Sequence, residues 1–168
     1  MGPLGQGFVL TDDLKGAYLV GGGIGVAPLV ELAVQMSEAV VATLFYGERF
    51  GRMVVPDRYL EVDSVERVLA TEDGRRGLAG LVTEPLAEAL ARRPAPVFAC
   101  GPRAMLAEVA RLAEQAGVEA QVSLEAHMAC GLGACLGCVT EIKTKNKAPA
   151  YARVCLEGPV FRAEEIKW

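Results

Sequence analysis

Ala17-Tyr-Leu-Val-Gly-Gly-Gly-Ile-Gly-Val-Ala-Pro28 is the stretch on which the fold turns. Its uncharged start, residues 17–21, predicts a buried strand. Gly21, Gly22, Gly23, Ile24 and Gly25 then leave almost no side-chain bulk before Pro28. A helix is expected from there to about Met36, with Leu29, Leu32, Ala33 and Met36 on one stripe. Strand, glycine turn and helix, in that order, give a Gly-rich motif its chemistry. The backbone can approach a pyrophosphate closely, and the helix N-terminus offers free N–H groups and a positive dipole end. A tight turn that binds nothing is the alternative this motif leaves open.

The same alternation continues outward. Strands are expected at 40–46, 65–71, 96–100 and 119–124, and helices from Thr83, a plausible N-cap, to about Arg92 and from 103 to 116. Met105, Leu106, Val109, Leu112 and Ala113 form the inner face of the last helix, and Gly117 stops it. This order predicts an α/β fold: a five-stranded parallel, Rossmann-like sheet with helices on both faces. Ligands in such sheets bind at the strands' C-terminal ends. Three loops lie there besides the glycine turn. Glu48 follows the second strand, where an acid favours NAD over NADP, although Arg49 and Arg52 suit a 2′-phosphate. Glu72 and Asp73 follow the third strand, and Cys100-Gly101-Pro102 follows the fourth. Solvated loops explain the charged residues equally well. Cys100 alone reads as a small buried apolar residue, but Gly101, Pro102 and Met105 beside it favour a site.

Near the end of the chain stands Cys130-Gly-Leu-Gly-Ala-Cys135-Leu-Gly-Cys138, with Cys155 following after sixteen intervening residues. The spacing C-x4-C-x2-C…C is that of plant-type [2Fe–2S] proteins. Four thiolates and two bridging sulfides carry negative charge, so backbone N–H groups must turn inward. Gly131, Gly133, Ala134 and Gly137 allow such a tight loop. Structural zinc is the main competitor, but zinc knuckles bring two separated C-x2-C pairs and here there is one. Five cysteines leave a disulfide framework with one unpaired. Short strands at 138–143 and 151–156 predict a hairpin around a lysine-rich, solvated turn, bringing Cys155 to the other three. His127, the sole histidine, reads as a polar loop residue.

At 168 residues, 52% apolar, the chain suffices for one ordinary domain and a small appendix. We expect residues 17–124 to form the nucleotide domain and 125–168 the cluster domain, each burying its own core. The net charge of −4 argues against nucleic acid, and no apolar run is long enough to span a membrane. No basic stretch precedes an apolar core at the N-terminus, and reduced thiols fit the cytoplasm. Nicotinamide moves two electrons at once and a [2Fe–2S] cluster takes one, so a flavin is required between them.

Gly21-Gly-Gly-Ile-Gly-Val-Ala-Pro28, with Cys100-Gly-Pro102 and Met105, resembles the NAD(P) domain of the ferredoxin-reductase superfamily. Met128-Ala-Cys-Gly-Leu-Gly-Ala-Cys-Leu-Gly-Cys138 is similar to the electron-transfer subunits of B-type dihydroorotate dehydrogenase. So are Gly2-Pro-Leu-Gly-Gln-Gly-Phe8, Thr71-Glu-Asp-Gly74 and Gly80-Leu-Val-Thr83. The resemblance covers nearly all the chain and displaces the reading of residues 2–5 as a cloning scar. It implies that Gly22–Gly25 and the first helix hold the NAD pyrophosphate. It implies that Cys100 lies near the nicotinamide and flavin rings, with Gly101 and Pro102 shaping that pocket, and that Cys130, Cys135, Cys138 and Cys155 ligate the cluster. The implied partner is a flavin-bearing dihydroorotate dehydrogenase catalytic subunit, with electrons passing through the cluster and FAD to NAD in pyrimidine biosynthesis. The family's FAD-binding barrel is not visible here, so residues 1–16 are expected to be a linker from a missing flavin domain, and NADH oxidation by this chain alone is not expected. A subunit of a ferredoxin:NADP reductase or a hydrogenase-linked flavoprotein is the competing assignment.

Overall fold

The computed structural model describes residues 4–36, 39–63, 65–144, 148 and 150–168. The strands are β1 (Gly16–Gly22), β2 (Val41–Glu48), β3 (Val65–Thr71), β4 (Leu78–Ala79), β5 (Val97–Cys100), β6 (Ala120–Ser123), β7 (Val139–Ile142), β8 (Ala150–Arg153) and β9 (Val160–Arg162). The helices are α1 (Val26–Gln35), α2 (Thr83–Arg92) and α3 (Arg103–Ala116). The main sheet runs β4-β3-β2-β1-β5-β6-β9, and β7 pairs with β8 alone. Its centre is the expected parallel array, with β1 and β2 in register from Gly16 opposite Val41 to Gly22 opposite Gly47. The sheet exceeds the five expected strands at both edges. β4 adds a two-residue parallel strand beside β3, and β9 adds an antiparallel one beside β6.

The chain leaves β1 toward β2, β3 and β4, then returns to β5 on β1's other side. Strand order therefore reverses between β1 and β5, and a crevice opens at their C-terminal ends. The glycine turn and Cys100-Gly101-Pro102 both lie there, with Gly21 opposite Cys100.

Side-chain alternation along β1 builds the two faces. Ala17 and Leu19 pack with Val26, Leu29 and Leu32 of α1, while Tyr18 and Val20 pack with Leu86 of α2 and Leu106 and Val109 of α3. Leu106 is 1% exposed. Leu106→Ala should cost about 3 kcal/mol, read as a lowered urea midpoint with an unchanged slope. The α3 C-terminus closes as expected on Gly117, at φ 67°. Thr83 is not the cap of α2; it is the first helical residue, and Val82 stands before it with no side-chain capping bond.

The expectation of separate cores is not met. Cys138, Ala152, Val154, Cys155, Phe161 and Ile166 belong to the same apolar cluster as α2 and α3. Polar contacts reinforce the junction. Arg103, at the start of α3, donates to the Lys167 carbonyl at 2.8 Å and the Thr140 hydroxyl at 3.4 Å. Its guanidinium lies 5.6 Å from the Trp168 ring centre. The hairpin's physical reason for joining is area: two four-residue strands bury too little on their own.

Residues 4–15 start at this edge of the sheet, where the Gln6 N–H meets the Gly158 carbonyl, and cross to the start of β1, where the Lys15 carbonyl accepts from the Val41 N–H. Val9 exchanges hydrogen bonds with the Gln121 side chain at 2.9 and 2.8 Å, and Phe8 meets Phe98 edge-on at 5.9 Å. Met1, Gly2 and Pro3 of the proposed linker lie outside the described residues, as do Lys145, Asn146, Lys147 and Pro149 of the lysine-rich turn.

Candidate functional site

Two sites emerge, one at the sheet's crevice and one at the cysteine loop. The crevice is a cleft of about 370 Å³ lined by Gly22, Gly23, Glu48, Glu72, Pro102 and Met105 of the expected residues. Gly47, Arg49, Gly80–Thr83, Ala104 and Glu108 complete its wall. The glycines divide by role. A Cβ on Gly25 would fall 2.3 Å from the Cys100 carbonyl oxygen, so this glycine lets the turn press against β5. Gly23 has φ +56° and faces open space, its nearest neighbour being Glu48 Oε2 at 3.8 Å from the Cβ position. It leaves backbone accessible at the mouth of α1. Gly21, Ile24, Gly25, Pro28 and Gly101 are not in the cleft lining.

Glu48 ends β2 at the rim. Its Oε1 accepts from the Arg49 N–H at 2.8 Å and its Oε2 from the Tyr46 hydroxyl at 3.3 Å. Arg49 and Arg52 flank the Phe50 ring, at 5.3 and 5.1 Å from its centre. Asp73 does not line the cleft. It fastens two loops: Oδ1 accepts from the N–H groups of Gly51 at 3.0 Å and Arg75 at 3.1 Å. Burial opposes its charge, but those N–H groups and the Thr71 hydroxyl hold the carboxyl below the usual range. Cys100 is 5% exposed beneath the turn. Burial pushes its thiol up, with a hydrogen bond to Ser123 acting the other way.

Gly80-Leu-Val-Thr83 was legible as a motif but not as cleft wall. Its signal is position: it joins β4 to the start of α2, at the same end of the sheet as Glu48 and Glu72.

At the cysteine loop the thiols stand as two pairs. The Cys135 N–H points at Cys130 Sγ, and the Cys155 N–H points at Cys138 Sγ, each at 3.4 Å. Leu132 N–H adds a second donor to Cys130, and Gly137 N–H a donor to Cys135, also at 3.4 Å. These inward amides fit thiolates: hydrogen bonding from the Leu132 and Cys135 N–H groups lowers the Cys130 thiol to about 6. The Cys155 N–H likewise lowers Cys138, while the Cys138 thiol, then burial, raises Cys155. Cys138 and Cys155 are buried and Cys135 is exposed. Among the described residues no three His, Cys, Asp or Glu side chains form a group that could hold a single metal ion. The loop's positive φ values fall at Gly131, Gly133 and Leu136, not at Gly137. Leu136, at φ 57°, is 59% exposed, so its side chain escapes outward from a conformation costly for leucine. Arg153 braces the loop, donating to the Gly133 carbonyl at 3.0 Å and pairing with Glu157. His127 is exposed.

Residues 125–167 match the family model described as the iron–sulfur cluster binding domain of dihydroorotate dehydrogenase B. A dihydroorotate dehydrogenase B (NAD(+)) electron transfer subunit from Caldanaerobacter subterraneus subsp. tengcongensis is 40% identical over 167 residues, 98% of this chain and 64% of that protein. Nearly the whole chain is therefore similar to an electron transfer subunit of this kind. The electron transfer subunit of the same name from Desulforamulus reducens is 36% identical over 170 residues, all of this chain and 64% of its own length. The chain thus spans about 64% of the length of these relatives. A solved structure of an NADH-dependent reduced ferredoxin–NADP oxidoreductase superposes with a TM-score of 0.81 at 29% identity, covering 100% of this chain and 59% of that one. A ferredoxin reductase of carbazole 1,9a-dioxygenase, 22% identical with a TM-score of 0.56, covers 66% of this chain and 37% of its own, and shares the fold. Among the described residues no helix is long and apolar enough to cross a membrane.

Proposed function

We propose that the chain is the nucleotide- and cluster-bearing part of a dihydroorotate dehydrogenase B electron transfer subunit, serving pyrimidine biosynthesis in the cytoplasm. The observation that carries this reading is that Cys138 and Cys155 share one apolar cluster with Leu106 of α3, against which Met105 of the cleft wall packs. Cys130, Cys135, Cys138 and Cys155 would hold a [2Fe–2S] cluster, with the inward N–H groups offsetting its charge. Gly22, Gly23 and the α1 N-terminus would receive the NAD pyrophosphate, and Glu48 the adenosine ribose. Cys100, under the turn, would back the nicotinamide. The cluster supplies one-electron transfer, and FAD, held outside these two sites, splits a hydride into single electrons. The partner is the flavin-bearing catalytic subunit that oxidises dihydroorotate. We assign residues 17–124 to the nucleotide unit, 125–168 to the cluster unit and 1–16 to the connection toward the flavin. The whole protein's activity needs both the flavin domain and that partner.

Gly23→Val tests the nucleotide half. A β-branched residue is strained at φ +56° and fills the open approach. NADH affinity should fall at least about tenfold with the visible spectrum unchanged; unaltered affinity would remove the pyrophosphate assignment. The likeness to the ferredoxin–NADP oxidoreductase favours a second reading, an electron-transfer subunit of that type. Co-purification with a dihydroorotate-oxidising flavoprotein supports the first reading, and co-purification with a ferredoxin-reducing subunit the second.

A further inference from the structure

We propose that Tyr46 is a positioning residue which, through Glu48, makes the cleft select a dinucleotide whose adenosine ribose carries no phosphate. The inference rests on the reading of the cleft as a dinucleotide site and deepens it. Tyr46 is 3% exposed in the core between the sheet and α1, and only its hydroxyl reaches the rim. That hydroxyl donates to Glu48 Oε2 and accepts from the Val55 N–H, both at 3.3 Å. The Arg49 N–H holds the other carboxylate oxygen at 2.8 Å. Two donors, one on either side of Glu48 in sequence, thus fix the carboxylate, and one of them is anchored in the core.

The place where it is fixed matters. Glu48 Oε2 lies 3.8 Å from where a Cβ on Gly23 would stand, across the open mouth of the glycine turn. A ribose diol there finds a charged acceptor, whereas a 2′-phosphate meets a like charge. The cations that could offset that repulsion, Arg49 and Arg52, are drawn onto the faces of Phe50. The remaining charged groups of the cleft lining, Glu72 and Glu108, are also acidic. Without its hydroxyl, residue 46 would leave the carboxylate free to swing toward solvent, and discrimination would weaken while the cleft kept its shape.

The test is calorimetric binding of NADH and NADPH to the full chain carrying its cofactors. The unmodified protein should bind NADH at least about tenfold tighter than NADPH. Glu48→Gln should bring the two affinities close together. Tyr46→Phe should lower the NADH:NADPH preference about threefold, the weight of one net hydrogen bond, and should have no further effect in the Glu48→Gln background. Glu48→Asp, which keeps the charge but withdraws it from the hydroxyl without touching the core, should also lower the preference. It stands in if Tyr46→Phe does not fold. Equal affinity for both nucleotides in the unmodified protein overturns the proposal. So does a Tyr46→Phe effect that weakens both alike or persists without the carboxylate, or an unchanged preference in Glu48→Asp. Failure of the unmodified protein to bind either nucleotide overturns the dinucleotide reading itself, and this inference with it.

Discussion

Cys135→Ser removes the visible absorbance of the purified chain and leaves its far-ultraviolet circular dichroism intact. Cys135 is exposed and contributes nothing to the shared core, so its loss should leave the packing unchanged. Serine is a much poorer ligand than thiolate for iron in this setting, and the neighbouring amides are arranged for sulfur. Cys155→Ser should behave differently. Cys155 is 6% exposed among apolar neighbours, and a hydroxyl there adds a packing penalty of about 1–3 kcal/mol to the lost cluster. Comparing melting temperatures of the two metal-free variants separates the effects: the Cys155 variant should melt lower. Equal melting points would mean that the fourth thiol does not pack as described.

Gly25→Ala should damage both the fold and the nucleotide site with a single methyl. The added Cβ would stand 2.3 Å from the Cys100 oxygen, 2.6 Å from its carbonyl carbon and 2.8 Å from the Gly101 nitrogen. All three are backbone atoms of β5 or its exit, so no side chain can swing aside. Relief requires α1 to move off β5, which opens the crevice and withdraws the helix N-terminus from it. The expected loss is about 3 kcal/mol, or a melting point lower by about 10 °C, together with loss of dinucleotide binding. Thermal unfolding and nucleotide titration of the same sample check both; a variant with native stability would show that the turn does not abut β5.

The parallel centre of the sheet was legible because each strand is long enough to show a buried run and each helix long enough to show a stripe. β4 and β9 were not, since two and three residues cannot display a period, and β9 pairs with a strand about forty residues back. The shared core was missed for a related reason. Cys138 and Cys155 were read only as ligands, whereas their small apolar bulk also packs against the sheet. Asp73 shows what a loop's sequence hides: its Oδ1 accepts from the Gly51 and Arg75 N–H groups, a partnership no sequence pattern marks. In the cysteine loop Gly131 and Gly133 take positive φ, and so does Leu136, which no sequence signal marks. The hairpin was legible, and β7 beside β8 brings Cys155 to Cys138; the division of the four thiols into two pairs was not.

The claim on which the account depends is that one polypeptide holds a one-electron centre against a two-electron site. Iron and acid-labile sulfide analysis of the chain purified without oxygen tests it most directly. The account predicts about two irons and two sulfides per chain, lost in Cys135→Ser. About one zinc and no sulfide would contradict it.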